Sequence, residues 1–343
     1  MKITSTTTDR KTSIDEDASP DPTSTHIPTG GGLSTRGSTE LRLDFHQVTK
    51  RYGDRTVVDD LTFEVQPGRV TGFLGPNGSG KSTTMKILLD LAAADHGAAT
   101  IGGIRYRDLP DPASTVGVMI EPNAFHPGRS GRNHLAIVAR AAGQPLTRID
   151  EALRSVDLAG EPADRRVATY SLGMKQRLSL AAALLGDPGV LVLDEPANGL
   201  DPQGIHDLRD LLRARAERGH TVLVSSHLLT EMQHLADDVV VIESGRLVTT
   251  GSIDDLTHHR ALVRTPDPIP LASHLARPGV DIDQTAADRL VVTGLDLQEI
   301  GQAAHAAGIA LFELSIDAAS LEDVFLALTT PSADSADHEM ELS

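Results

Sequence analysis

Cysteine and tryptophan are both absent from the 343-residue chain. Without cysteine there can be no disulfide, no Cys-ligated zinc and no thiol catalysis, which fits a reducing compartment. Aromatic residues make up only 3% of the chain, so the core has to be built from Ala, Val, Leu and Ile. No run approaches the ~18 consecutive apolar residues that a spanning helix needs. The first residues, Met1-Lys2-Ile3-Thr4-Ser5, lack the apolar centre of a secretory signal. A cytosolic or peripheral protein is expected. Positive charge is also scarce, with 31 Lys and Arg against 48 Asp and Glu and a net charge of −17. That balance argues against duplex DNA or RNA as a partner, because nucleic-acid binding rests on phosphate neutralisation.

What the chain does have is ordered alternation. Residues 1–40 are rich in Ser, Thr, Asp and Pro without helical or strand period and read as a disordered tail. Residues 331–343 form a short acidic tail. Between the tails, 41–48 and 56–65 alternate apolar and polar residues as half-buried strands do. Apolar runs at 69–74, 116–120, 190–193, 221–224, 239–242 and 247–249 predict further strands. Helices are expected at 82–91, 133–142, 148–156, 172–185, 202–218 and 228–235. Strands alternating with helices predict an α/β core with a mostly parallel sheet, split by a helical insertion at about 120–187. A small C-terminal α+β segment follows over 261–330, with strands at 290–292 and 309–314 and helices at 297–307 and 321–328.

Four elements carry chemistry. Gly75-Pro76-Asn77-Gly78-Ser79-Gly80-Lys81-Ser82 fits GxxxxGK[ST] at every fixed position, between an apolar run and a helix. The glycines allow a tight turn whose N–H groups face phosphate oxygens. Lys81 is placed to reach the β- and γ-phosphates, and Ser82 to bind Mg²⁺. Leu191-Val192-Leu193-Asp194-Glu195 puts two carboxylates at the end of a buried run. They need a partner there, and Mg²⁺ suits Asp194 while Glu195 can act as general base. Ser171 and Gly173 open the helix at 172–185, where free N–H groups attract anions. Ser171 is equally a good helix cap, so the local sequence leaves both roles open. His227 follows Val222-Leu223-Val224-Ser225-Ser226, at the end of another strand where open parallel sheets bind ligands.

In order and spacing, these elements resemble the nucleotide-binding subunit of ABC transporters over about residues 41–256. Gly75 to Ser82 match Walker A, Val190 to Asp194 match Walker B, and Glu195 matches the catalytic carboxylate. Tyr170 to Met174 match the signature motif, Gly199-Leu200-Asp201 the D-loop, and His227 the switch histidine. Tyr52 matches the aromatic residue that stacks on adenine, and Thr83 extends the phosphate-binding set. The implied fold is a P-loop NTPase core over 41–260, with a mostly parallel sheet, an antiparallel β part and a helical signature subdomain. A small α+β C-terminal domain completes it.

The resemblance implies an ATPase that works with ATP and Mg²⁺ as a head-to-tail dimer. ATP on one copy's Walker A is closed over by Ser171 and Gly173 of the other, with Asp201 nearby. It also implies a separate transmembrane permease, which would hold the subunit on the inner face of the membrane. Two regions depart from the family pattern. Tyr170, Leu172 and Met174 replace the usual leucine, first glycine and glutamine of the signature. Glu121, in Met119-Ile120-Glu121-Pro122, stands where the metal-linked Q-loop glutamine is usual, and 121–132 is where a coupling helix of the permease is expected to dock. These variants resemble ATPases that export antibiotics and antimicrobial peptides, as does Ser320-Leu321-Glu322-Asp323-Val324-Phe325-Leu326. The alternative is a soluble ABC ATPase acting on ribosomes or chromosomes, or a regulator without turnover. A single Walker A, a short stretch from Ser82 to Tyr170, and the presence of Glu195 and His227 count against these.

Overall fold

The computed structural model describes residues 41–120, 125–257 and 260–316, and every structural statement below concerns those residues. Leu43–Tyr52 (β1) and Arg55–Val65 (β2) form an antiparallel hairpin. Their alternation turns Leu43, Phe45, Leu61, Phe63 and Val65 into the core. Phe45 lies directly across the ladder from Phe63, and the rings stack with centroids 4.2 Å apart. Val70–Leu74 (β3) is buried throughout and leads through the glycine loop into the helix Lys81–Leu88. His96–Ile101 (β4) then returns to pair with β1. This strand gives no sequence signal, because His-Gly-Ala-Ala-Thr-Ile has few of the β-branched and aromatic residues that mark strands.

Phe63 also packs on Phe73, with centroids 5.3 Å apart, so its ring joins the hairpin to the central sheet. Phe63→Ala should therefore cost about 3–5 kcal/mol, the usual range for a buried phenylalanine. Urea unfolding measures this. A loss below about 1 kcal/mol would mean that neighbouring side chains refill the site, against the behaviour of close-packed cores.

Val116–Met119 (β5), Val190–Asp194 (β6), Thr221–Ser226 (β7), Asp238–Glu243 (β8) and Arg246–Ser252 (β9) join β3 in a six-stranded sheet of order β5-β6-β7-β3-β8-β9. All pairs are parallel except β8 with β9. The parallel strands read as apolar runs because both sheet faces are covered. One face packs on the hairpin sheet and the helix Lys81–Leu88. The other packs on Leu172–Leu184, Pro202–Ala216 and Leu229–Leu235, and the core continues into Gly131–Ala141 and Arg148–Ser155. The registers Leu74↔Ser226 and Asp194↔Ser225 bring the C-terminal ends of β3, β6 and β7 to one edge. That edge positions the site.

The C-terminal segment runs Arg260–Arg264 (β10), helix Pro268–Leu275, Asp281–Ala286 (β11), Arg289–Thr293 (β12), helix Leu297–Ala307 and Glu313–Ile316 (β13). Its antiparallel sheet has order β11-β12-β10-β13, the βαββαβ arrangement of ferredoxin-like folds. The strand expected at 309–314 is displaced to Glu313–Ile316. Gly308 ends the preceding helix in the left-handed conformation, and the chain needs residues 309–312 to reach the edge of β10. Three elements, β10, β11 and the helix Pro268–Leu275, have no counterpart in the sequence reading. The helix expected at 321–328 lies outside the described residues.

Candidate active site

The phosphate loop leaves β3 at Gly75, whose φ is 151°. A Cβ there would sit 2.2 Å from the Ile242 carbonyl oxygen, so only glycine fits. At Gly80, with φ 109°, a Cβ would sit 2.7 Å from the Val57 carbonyl oxygen. The loop is thus wedged between β2 and the end of β8. The Gly245 N–H, in the β8–β9 turn, donates to the Ser79 carbonyl at 2.9 Å. Pro76, Asn77 and Gly78 form the exposed crest, while Ser79, Gly80 and Lys81 are buried. The Lys81 ammonium donates to the carbonyls of Gly75 at 2.5 Å and Pro76 at 3.2 Å. Burial lowers its pKa from the ordinary lysine value, and the carboxylates of Glu195 and Asp194 oppose that shift. Ser82 is exposed and Thr83 half-buried on the first turn of the helix.

Ser82 donates its hydroxyl proton to Asp194 Oδ2 at 2.7 Å. Ser225, on the neighbouring β7, donates to Asp194 Oδ1 through a short hydrogen bond. A hydroxyl beside a carboxylate is the oxygen set that suits Mg²⁺, which keeps water and phosphate oxygens in the rest of its shell. No group of three or more His, Cys, Asp or Glu among the described residues could hold a metal ion. A cation at this edge would be held by Ser82 and Asp194. Glu121, the third metal-linked residue of the sequence reading, lies outside the described residues.

Glu195 follows β6 in the left-handed region, at φ 48°, a conformation that non-glycine residues seldom adopt. Its N–H donates to Ser225 Oγ at 3.0 Å. His227 Nδ1–H donates to Glu195 Oε1 at 3.0 Å, the carboxylate being able only to accept. Glu231, one helical turn beyond His227, has its pKa raised by burial and, further, by the charge of Glu195, while His227 opposes. His227 and Glu195 are thus in contact.

Tyr52 sits at the β1–β2 turn, 53% exposed. Lys50 lies over its ring, with Nζ 5.1 Å from the centroid, and pairs with Asp95 at 3.3 Å. The turn adjoins the loop crest, since Arg55 Nη2 is 4.0 Å from where a Cβ of Gly78 would stand. Ser171 caps the helix Leu172–Leu184, its Oγ accepting from the Met174 N–H at 3.2 Å. The helix start packs on the D-loop segment, where a Cβ on Gly173 would be 3.1 Å from the Gly199 carbonyl oxygen. Leu172, in place of the usual glycine, is half exposed and lies against Gly199. Tyr170 is buried, with its hydroxyl donating to the Pro162 carbonyl at 2.6 Å. Asp201 caps the helix Pro202–Ala216, its Oδ1 accepting from the Gly204 N–H at 2.9 Å.

Gly75 to Thr83, Asp194, Glu195 and His227 therefore converge, with Tyr52 at their margin. Ser171, Gly173 and Asp201 form a second group. No hydrogen bond between described residues joins these three to the phosphate loop. Sequence reasoning missed Ser225, Gln176, Lys50 and Glu231. Ser225 could have been found as a fully buried hydroxyl ending an apolar strand, which requires a partner.

Comparison with known proteins agrees with this geometry. Residues 58–198 match the family model described as ABC transporter, and residues 259–322 match a domain of unknown function. The Nod factor export ATP-binding protein I of Paraburkholderia xenovorans is 36% identical over 84% of this chain and 97% of its own length. The bacitracin transport ATP-binding protein BcrA of Enterococcus faecalis is 39% identical over 63% of this chain and 71% of its own. A solved ATP-binding subunit of an ABC transporter superposes with a TM-score of 0.57, at 30% identity, over 63% of this chain and 91% of that one.

Proposed function

Because the chain belongs to the family of ABC transporter ATP-binding proteins and is an ATPase, we propose that it drives an exporter as a dimer, through the residues assembled at the ends of β3, β6 and β7. The observation that carries this reading is the chain of contacts from Ser82 through Asp194 and Ser225 to Glu195 and His227. Backbone N–H groups from Asn77 to Thr83 bind the phosphates, and the Lys81 ammonium turns from its own loop carbonyls to the β- and γ-phosphate oxygens. Mg²⁺, held by Ser82 and Asp194, would supply neutralisation of charge on the β- and γ-oxygens.

Glu195 accepts a proton from the attacking water. His227 orients that carboxylate and stabilises its charge. Ser171 retains a hydroxyl proton to donate, because its cap uses only an oxygen lone pair. Presented with the Gly173 N–H by a second copy, it closes on the γ-phosphate, with Asp201 at the same interface. ATP then favours the closed dimer through contacts that the open state lacks, and hydrolysis removes them.

No helix among the described residues is long and apolar enough to cross a membrane. We assign that part to a separate permease, which places this subunit at the inner membrane face. The names of the Nod factor and bacitracin relatives support an amphipathic compound, peptide or antibiotic as cargo. Co-purification from membranes with a polytopic protein, and ATP-driven export in vesicles containing both, test this. A fully active, membrane-free ATPase that binds no such partner would overturn it.

Tyr52 provides a separable test. Its ring is exposed on one side and backed by Lys50, so adenine can stack without displacing core atoms. Base–aromatic stacking is worth about 1–3 kcal/mol by alanine substitution. Tyr52→Ala should raise the KM for ATP roughly tenfold or more, with kcat little changed and the melting temperature held. An unchanged KM would remove Tyr52 from the nucleotide site.

A further inference from the structure

The helix that begins at Ser171 also carries a buried amide that touches the catalytic carboxylate's own backbone. Gln176 is 3% exposed, and its Nε2 donates to the Glu195 carbonyl oxygen at 2.8 Å. That carbonyl also accepts from the Asn198 N–H at 3.2 Å, while the Glu195 N–H is held by Ser225. Both ends of a residue in the left-handed region are therefore fixed, as such a conformation requires if it is to persist. Of these contacts, only Gln176 comes from the helix Leu172–Leu184. It stands about 6 Å along the axis from that helix's first residue, at 1.5 Å per residue.

The next residue stiffens the same helix. Arg177 donates to the Val156 carbonyl at 3.0 Å and lies 3.5 Å from both Asp157 and Asp207. A displacement at Ser171 thus moves a rigid element whose second turn grips Glu195.

We propose that Gln176 is a positioning residue that transmits closure of this helix over the ATP bound by the partner copy to Glu195 of its own copy, so coupling the two hydrolytic sites. The inference rests on the proposed dimer. The end of the helix that meets a neighbour's phosphate and the amide that holds the home carboxylate belong to one rigid body. Occupation of one site is therefore felt at the other as the placement of a base.

The test uses heterodimers of the full chain with two distinguishable tags. Glu195→Gln in one copy leaves one working base, and Gln176→Met is then placed either in that copy or in the other. Methionine keeps the length of the side chain and lacks the donor. With both substitutions in one copy, the remaining base keeps its amide contact and activity should equal that of the Glu195→Gln heterodimer. With Gln176→Met beside the working Glu195, kcat should fall about tenfold, the worth of one net hydrogen bond, with KM within about twofold.

The Gln176→Met homodimer should still close on ATP but lose positive cooperativity in ATP. Equal activity in the two arrangements, loss confined to the first, or retained cooperativity would each overturn the proposal. If methionine prevents folding, Gln176→Ser, too short to reach the carbonyl, repeats the pair. Failure of the underlying dimer reads differently: the Glu195→Gln protein would remain monomeric with ATP, whatever stands at 176.

Discussion

Glu195→Gln is expected to lower ATP turnover by about 10²–10⁴, the usual contribution of a positioned general base. The amide has nearly the shape of the carboxylate and can still accept from His227 Nδ1–H, so the site's geometry should survive. The backbone contacts to Ser225 and Gln176 do not involve the side chain and are untouched. What is lost is the ability to take a proton from water. Binding should persist, and because opening follows hydrolysis, the variant should accumulate as an ATP-bound dimer. Phosphate release and sedimentation with Mg·ATP measure both effects. Near-normal hydrolysis would show that another group is the base.

Ser171→Arg should abolish ATP-driven dimerisation, read most cleanly in the Glu195→Gln background where the closed state is trapped. Ser171 is exposed, so the larger side chain costs no core packing. It does cost the cap to Met174, about 0.5–2 kcal/mol for a serine replaced by alanine. Ser171→Ala separates the two roles, since it removes the same cap without adding bulk. Both variants should melt at similar, slightly lowered temperatures, while only the arginine variant excludes the partner's phosphate. If the arginine variant sediments as a full dimer with ATP, Ser171 serves as a cap alone and the second copy does not close here.

How much of this was legible depends on whether the signal is local. The phosphate loop is legible because its turn needs glycine at fixed positions, and Gly75 and Gly80 sit against the carbonyls of Ile242 and Val57. The Asp194-Glu195 pair is legible because carboxylates ending an apolar run require a partner. Ser171 could be read two ways from its surroundings, and its cap is what the single chain displays.

Gln176 escaped notice because it stands in the polar run Lys175-Gln176-Arg177, which reads as a solvated stretch, and its partner is a backbone atom 19 residues away. Strand β4 escaped because its pairing with β1 outweighs weak local preference. Leu172, which replaces the usual first glycine of the signature, lies in the first helical turn and packs on Gly199.

The sequence by itself determined which chemistry is available: a phosphate loop, two carboxylates, a histidine and a capped helix start, with cysteine chemistry excluded. Those features are set by residue type and short spacing, which folding does not alter. Only the tertiary structure decided which of them meet. The order of the sheet places β7 between β3 and β6, so that Asp194, His227 and Ser82 share one edge although they lie more than 100 residues apart at the extremes. Sheet pairing is a long-range choice settled by burial of both faces. No stretch of chain short enough to be read locally contains it.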